Sequence, residues 1–264
     1  MSPTGHDSLG AVFVGDFPLR RGTVFARHWH PFHQLAWSTE GLLRVGTDRG
    51  SWLLPPSLAL WIPAGLPHTT AAGPTGSAAL RSPYVDPAHC PGAWTEPTVL
   101  AVGPLLSALI DHLSRPDLTP PARSRAEAVL LDALEPVPEL RSITLTEPTD
   151  PRARKVARAL SEHPADTRTL TDWGEWTDTS ARTLARLFRA ETGMAFGQWR
   201  ERLRMRAAMP HLAAGRTTEA VAARVGYASA SSFVAAFRRV VGVTPRRYFP
   251  KSSTAKGSQW CGWT

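Results

Sequence analysis

The sequence predicts an α+β protein of two domains, in which an antiparallel β-barrel or sandwich is followed by an all-α domain. Short apolar runs separated by glycine and proline occupy residues 10–97, a pattern typical of antiparallel strands. Apolar residues then recur at helical spacing in 98–135 and in 151–249. The segment between them, 136–150, is rich in proline and poor in apolar residues, so we predict a linker there.

The first block is predicted to contain short strands separated by turns. The apolar runs recur about every 8–12 residues, as in small barrels and sandwiches. The predicted strands are 11–15, 34–38, 42–47, 52–54 and 58–62. Residues 48–51, Asp-Arg-Gly-Ser, have the composition of a hairpin loop.

The segment 98–135 is predicted to form two helices. The first carries an apolar stripe of Leu105, Leu106, Leu109, Ile110 and Leu113. The second begins at Pro120 and Pro121 and ends before Pro136, and it contains Ala126, Val129, Leu130, Ala133 and Leu134. These helices either cover the barrel or form the interface of a homodimer, and the two roles are compatible.

The charge of the chain is divided unevenly. Residues 1–150 hold 10 basic and 14 acidic side chains, whereas residues 151–250 hold 18 basic and 8 acidic ones. A basic block of this kind indicates a nucleic-acid partner. The alternative is a solvated charged face without a partner.

Several classes of protein are not expected from the composition. No run of 18 apolar residues is present, so no membrane-spanning helix is predicted. Cys90 and Cys261 lie far apart without a partner motif, which argues against a disulfide framework or a cysteine zinc site. The first ten residues lack a cationic start followed by an apolar stretch. We therefore expect a cytoplasmic protein, and we expect the tail, 250–264, to be disordered.

The basic block contains two predicted pairs of short helices. In the first, residues 169–177 form a helix and Ser180 caps the next one, because its hydroxyl can accept an N–H of the following turn. The second pair comprises 217–225 and 229–241, with Gly226 and Tyr227 at the turn. A long helix, 196–214, is predicted between the pairs. Such a pair places its second helix in a DNA major groove, and two pairs could reach groove faces about 34–36 Å apart.

Two stretches of this block resemble a known family. They read SARTLARLFRAETGMAFGQWRERLRMRAA at 180–208 and AARVGYASASSFVAAFRRVVGVTPRRY at 222–248. Both are similar to the DNA-binding part of AraC-type transcription regulators. The resemblance implies binding to double-stranded promoter DNA through two helix-turn-helix units.

Three positions depart from the pattern of that family. Gly174 stands where a small alanine is usual, and we expect it to cost up to about 1 kcal/mol of helix propensity. Asp178 stands where glycine usually makes the turn, and aspartate tolerates the left-handed conformation better than most residues. Pro210 lies inside the long helix and is expected to kink or break it.

The exposed residues of the two second helices suggest how DNA is read. Alanine and valine dominate the outer face of 229–241, and neither can make a bidentate bond to guanine. Arg182 and Arg186 are therefore the predicted base readers, with a phosphate contact or an internal ion pair as the alternative for Arg186. The other predicted DNA contacts are Ser180, Ser231, and the phosphate partners Arg189, Arg238 and Arg239.

Histidines in the first block resemble the two motifs of cupin barrels. The motifs read His28-x-His30-x3-Gln34-x6-Gly41 and Pro63-x-Gly65-x2-His68, with Gln34 in place of the usual glutamate. Strand alternation puts His28, His30 and Gln34 on one face.

Imidazole nitrogens together with an amide oxygen are ligands that suit Zn²⁺, Ni²⁺ or Cu²⁺. Alternatively the histidines line the pocket of an organic ligand or are hydrogen-bonded core residues, because AraC-type barrels often keep the motif without metal. Trp37, Trp52 and Trp61 either wall this pocket or belong to the core.

We therefore predict a transcription regulator whose cupin-like domain senses a small molecule or a metal ion and alters promoter binding. The alternative is a metal-dependent cupin enzyme with an accessory DNA-binding domain, using the same His28, His30, Gln34 and His68. The double helix-turn-helix and the missing glutamate argue against that alternative.

Overall fold

The computed structural model describes residues 11–74, 76–90 and 94–250. The strands are β1 Val12–Leu19, β2 Val24–His28, β3 His33–Ser38, β4 Leu43–Thr47, β5 Gly50–Leu54, β6 Leu58–Ile62, β7 His68–Ala72, β8 Ala78–Val85, β9 Thr98–Ala101 and β10 Glu135–Pro136. The helices are α1 Pro104–Leu113, α2 Pro120–Asp132, α3 Pro151–Glu162, α4 Leu170–Trp176, α5 Ala181–Thr192, α6 Phe196–Ala213, α7 Thr218–Arg224, α8 Ala230–Val241 and α9 Pro245–Tyr248.

The strands form two antiparallel sheets. One has the order β1-β8-β3-β6-β9-β10 and the other β2-β7-β4-β5. Their inner faces share one apolar core, in which Leu43, Leu54, Leu60 and Ile62 are almost completely buried. The predicted two-domain α+β class is thereby confirmed, and the predicted barrel takes the form of a two-sheet sandwich. The loop predicted around 48–51 joins β4 to β5 as a hairpin.

The helices α1 and α2 cover the outer face of the six-stranded sheet. Leu106, Ile110 and Leu130 pack there against Trp37 and Trp61 in a second apolar cluster. Covering the sheet is thus one role of this segment. Leu105 and Val129 point away from the cluster and are 60% and 44% exposed.

The predicted linker follows an ordered path between the two domains. The N–H of Ile143 donates to the carbonyl of Ser51 in β5 at 2.9 Å, and the N–H of Arg141 donates to the carbonyl of Val241 in α8 at 3.0 Å. The indole of Trp199 in α6 donates to the carbonyl of Thr146 at 2.8 Å. The linker is therefore hydrogen-bonded to both domains along its length.

The helical domain has two apolar cores joined by α6. The first holds Trp173, Leu184 and Phe188, together with residues of α3 and of the beginning of α6. Phe233 and Phe237 of the second half belong instead to the same cluster as the inner faces of the two sheets. The second half of the helical domain therefore packs directly on the sandwich.

Pro210 was predicted to kink or break the long helix, and the predicted break does not occur. The helix α6 is continuous from Phe196 to Ala213 with Pro210 inside it. Pro210 stands in the last turn, so it removes one backbone donor close to the helix end, and its ring is buried.

No described helix has both the length and the apolar character needed to cross a membrane. The tail predicted to be disordered lies outside the described residues from 251 onward.

Candidate metal site and nucleic-acid interface

Three histidines come together at one end of the sandwich. His28 ends β2 and His68 begins β7, and the antiparallel pairing of these strands sets the two residues opposite each other. His30 lies in the loop between β2 and β3. The ring centroids of His28 and His68 are 4.4 Å apart, and those of His30 and His68 are 5.2 Å apart. One nitrogen from each ring lies within 4.8 Å of the others.

Each of these rings is oriented by a hydrogen bond to a nearby backbone carbonyl. The Nδ1 atoms contact carbonyl oxygens two residues away, namely Ala26 for His28 at 2.7 Å, Phe32 for His30 at 2.8 Å and Leu66 for His68 at 2.9 Å. A carbonyl only accepts, so each Nδ1 donates its proton there and each Nε2 is directed away from that carbonyl. Metal-binding histidines are commonly fixed in this way.

His68 has the most restricted environment of the three. Its side chain is fully buried, and its Nε2 has no hydrogen-bond partner among the described residues. Burial is the main cause that lowers the pKa of His68 to about 4, so the ring is neutral near pH 7. A buried polar atom without a partner is costly. A metal ion at Nε2 would supply that partner, and the residues present therefore fit one.

The side-chain amide of Gln34 points toward the three histidines. Its Oε1 lies 3.0 Å from Nε2 of His30, while its Nε2 donates to the hydroxyl of Ser82 at 2.9 Å. The bond to Ser82 turns the amide so that the oxygen points toward the histidines. Two acceptor atoms at this distance repel each other unless a proton or a cation lies at the histidine nitrogen.

Aromatic rings lie next to two of the three histidines. The ring centroids of Tyr84 and His30 are 5.1 Å apart, and the ring of Tyr84 stacks on that of Phe13. The ring centroids of Phe25 and His28 are 6.5 Å apart. Burial raises the pKa of Tyr84, so its phenol remains protonated. Tyr84 and Ser82 were missed in the sequence. The signal that would have found them is the register of β8, because Tyr84 pairs with Gln34 across the ladder.

The three tryptophans predicted to wall the pocket do not surround this site. Trp37 and Trp61 point to the outer face of the sheet, where Trp61 stacks on His33 at 4.9 Å. Trp52 lies in the inner core. The physical reason is strand alternation, because Gln34 and Trp37 differ by an odd number of positions along β3 and face opposite sides.

The first helix-turn-helix unit is formed by α4 and α5. Its turn contains Asp178 at a positive φ of 51°, as the sequence predicted. Gly174 permits the close approach of the two helices, since a Cβ there would lie 2.7 Å from the carbonyl oxygen of Thr179. The hydroxyl of Ser180 accepts the N–H of Thr183 at 3.1 Å and caps α5.

The outer face of α5 carries the predicted DNA contacts. Arg182, Arg186 and Arg189 are all exposed. They follow one another at spacings of four and three residues and so form one stripe. None of them pairs with an acidic side chain within the described ranges. The internal ion pair considered for Arg186 is therefore not observed.

The second unit is formed by α7 and α8, with Gly226 at a positive φ of 82° in its turn. Ser231 and Arg238 are exposed on α8. Arg239 is instead ion-paired with Glu201 of α6, which holds it against the neighbouring helix. An open groove lies between α8 and the linker residues Pro138, Glu139 and Arg141.

Two family models match consecutive parts of the chain and agree with this architecture. The model of an AraC-like ligand binding domain matches residues 19–162, and that of a helix-turn-helix domain matches residues 174–251. The transcriptional regulator NimR of Escherichia coli K12 is 31% identical over 233 residues, which cover 86% of this chain and 83% of NimR. RipA of Corynebacterium glutamicum is 41% identical over 101 residues, covering 38% of this chain and 30% of RipA. The solved structure of ToxT from Vibrio cholerae covers 91% of this chain and 98% of that one at 12% identity, with a TM-score of 0.38.

A ligand-binding sandwich followed by two helix-turn-helix units defines a DNA-binding transcription regulator. The chain belongs to the AraC family of these regulators. The family consists of regulators and not of enzymes, so the alternative of a cupin enzyme is set aside.

Proposed function

We propose that this chain is a one-component regulator whose sandwich binds a divalent transition-metal ion, alone or as the anchor of a small molecule. His28, His30 and His68 would bind the ion through Nε2, and Gln34 through Oε1. Binding would alter how the helix-turn-helix units occupy promoter DNA. The physical basis is that a ligand which binds one conformation more tightly raises the population of that conformation.

The observation that carries the proposal is the convergence of the three imidazoles. Their Nδ1 atoms are all occupied by backbone carbonyls, and one nitrogen of each ring lies within 4.8 Å of the others. A pocket that bound only an organic molecule would not require three imidazole nitrogens to converge within this distance. Imidazole and amide ligands favour Zn²⁺, Ni²⁺ or Cu²⁺. The ion would keep its full charge, because all four donors are neutral.

The alternative is that the same histidines line the pocket of an organic effector without metal. The neighbouring rings of Tyr84, Phe25 and Phe13 would then provide the apolar contacts of that pocket. Metal analysis separates the two, because only the first requires an ion.

A path of hydrogen-bonded strands connects the histidines with the DNA-binding domain. His68 pairs with Thr47 of β4, and β4 pairs with β5 along its whole length. The carbonyls of Ser51 and Leu53 in β5 then accept hydrogen bonds from Ile143 of the linker and Tyr248 of α9. We propose that binding of an ion at the histidines shifts the edge strand β5. This shift would change the position of the second helix-turn-helix unit, which packs on that strand.

On the DNA side we propose that Arg182 and Arg186 contact bases, and that Ser180, Ser231, Arg189 and Arg238 contact the backbone. Arg239 could do so only after leaving Glu201. Because each phosphate contact releases counterions, the affinity for DNA should fall steeply as the salt concentration is raised.

The exposed Leu105 and Val129 support a homodimer that forms through the outer surface of α1 and α2. We propose domain limits of 10–97, 98–135, 136–150 and 151–249, with β9 and β10 adding strands from the second and third segments.

The decisive experiment is the metal content of the full chain, purified without a histidine tag and analysed by mass spectrometry. We expect close to one ion per chain, lost in His28→Ala and in His68→Ala. His89→Ala is the matched control, because His89 is exposed and lies outside the cluster. No bound metal after loading with zinc, nickel and copper would overturn the metal proposal and leave the organic pocket.

A further inference from the structure

The long helix α6 joins the two helix-turn-helix units, and Arg204 in its middle contacts the loop before the first unit and the turn of the second. Its Nε donates to the carbonyl of Pro164 at 2.9 Å, and its Nη2 donates to that of Asp166 at 3.0 Å. Its Nη1 donates to the carbonyl of Gly226 at 3.1 Å. Pro164 and Asp166 belong to the loop that leads into α4, whereas Gly226 is the turn between α7 and α8.

The second unit approaches Arg204 closely at this point. A Cβ on Gly226 would lie 2.8 Å from Nη2 of Arg204 and 2.8 Å from Cα of Ala165. The ring of Tyr227 lies beside the guanidinium, 5.6 Å from its carbon. The turn of the second unit, the loop before the first unit and the side chain between them are therefore in direct contact.

Arg204 is suited to this position by its chemistry. A guanidinium is planar and offers five donors in fixed directions, while an ammonium offers three donors on a flexible stem. Burial lowers the pKa of Arg204, but an arginine remains charged at neutral pH. Hydrogen bonds from a charged donor to carbonyls are stronger than neutral ones.

We infer that Arg204 is a positioning residue that fixes the distance and angle between the two recognition helices, α5 and α8. It thereby sets the spacing of the two DNA elements that one chain can read. The inference rests on the proposed contact of both units with DNA, and it requires that the apolar outer face of α8 read thymine methyl groups, which alanine and valine can contact. Two linked binding modules gain affinity from each other only if their geometry lets both engage at once.

Arg200 provides a matched control on the same helix. Its Nη1 also donates to a backbone carbonyl, that of Arg168 at 2.9 Å, and its guanidinium lies 5.2 Å from the ring of Phe196. Both partners belong to the first half of the domain. Replacing Arg200 therefore removes a comparable side chain without releasing the second unit.

The test uses the full chain and an operator selected from random DNA by the wild-type protein. Binding is measured on that operator, on versions with the spacer changed by one or two base pairs, and on a probe with the first element alone. We expect Arg204→Gln to lose the spacing preference and to weaken operator binding by about 10-fold or more, because avidity is lost. Binding to the single element should change by less than about twofold, and Arg200→Gln should keep the preference.

Two results on a two-element operator would overturn the inference. One is an unchanged spacing preference in Arg204→Gln, whatever its stability. The other is an equal loss of binding on every probe, which would indicate general destabilisation. If Arg204→Gln does not fold, Arg204→Lys is judged by the same criteria, because it keeps the charge but not the planar fork. A selected operator with only one element would instead contradict the proposed two-unit reading, and the inference with it.

Discussion

The hydroxyl of Tyr248 donates a hydrogen bond of 2.6 Å to the carbonyl oxygen of Leu53. Tyr248 lies in α9, at the end of the DNA-binding domain, and Leu53 lies in β5, the edge strand of the four-stranded sheet. Both side chains are buried. Burial raises the pKa of Tyr248 above its ordinary range, so the hydroxyl stays protonated and can donate.

The change Tyr248→Phe removes this bond and keeps the ring. We expect a loss of about 1–3 kcal/mol in the free energy of unfolding, because the Leu53 carbonyl is left buried without a donor. We also expect a smaller effect of zinc on DNA affinity, since the contact between the domains is weakened. Denaturant unfolding and DNA titrations with and without zinc measure the two effects. Tyr227→Phe is the control, because Tyr227 packs on Phe233 within the second unit. An undiminished zinc response in Tyr248→Phe would refute this role of the contact.

The change Gln34→Glu restores the carboxylate of the cupin motif. We expect tighter zinc binding by roughly 10-fold, which corresponds to about 1.4 kcal/mol, because an anion is added beside the cation. Without metal the protein should be less stable, since Gln34 is only 2% exposed and a buried carboxylate is costly. Competition with a coloured chelator and thermal unfolding measure these effects. Weaker zinc binding than in the wild type would show that Gln34 does not face the ion.

The change Gly174→Ala tests the close approach of α4 and α5. Alanine favours a helix by up to about 1 kcal/mol, but the added Cβ would lie 2.7 Å from the Thr179 carbonyl oxygen. Overpacking costs about 1–3 kcal/mol, so we expect net destabilisation. Gly197→Ala in α6 is the control, because nothing lies within 4 Å of its Cβ position. We expect that variant to be as stable as the wild type or more so. Equal gains in stability from both variants would contradict the packing argument.

Alanine at Arg182 or Arg186 should relax sequence preference at one base pair, with a loss of about 1–3 kcal/mol on the preferred operator. Alanine at Arg189 should weaken binding to all sequences alike and reduce the salt slope by about 1. Binding to operator variants at several salt concentrations distinguishes the two patterns. If Arg182→Ala and Arg186→Ala both behave like Arg189→Ala, these arginines bind phosphates and the bases are read elsewhere.

Features that depend on neighbouring residues could be predicted from the sequence. The cap at Ser180, the turn at Asp178 and the arginine stripe of α5 follow from local chemistry and helical periodicity. His28 and His30 are two residues apart and therefore lie near each other, but His30 lies in the loop after β2 and not on the shared strand face that alternation predicted. The resemblance to AraC-type regulators depends on local patterns too, because each helix-turn-helix unit is built from one short continuous stretch of chain.

Other features were decided only by the tertiary structure. His68 joins His28 because β2 pairs with β7, a strand that lies far along the chain. The outward position of Trp37 and Trp61 depends on which face α1 and α2 cover. The linker is ordered because β5 and α8 both offer backbone carbonyls to it. The physical reason is the same in each case: strand pairing and packing join residues that are distant in the sequence, whereas capping, turn formation and periodicity act within a few residues.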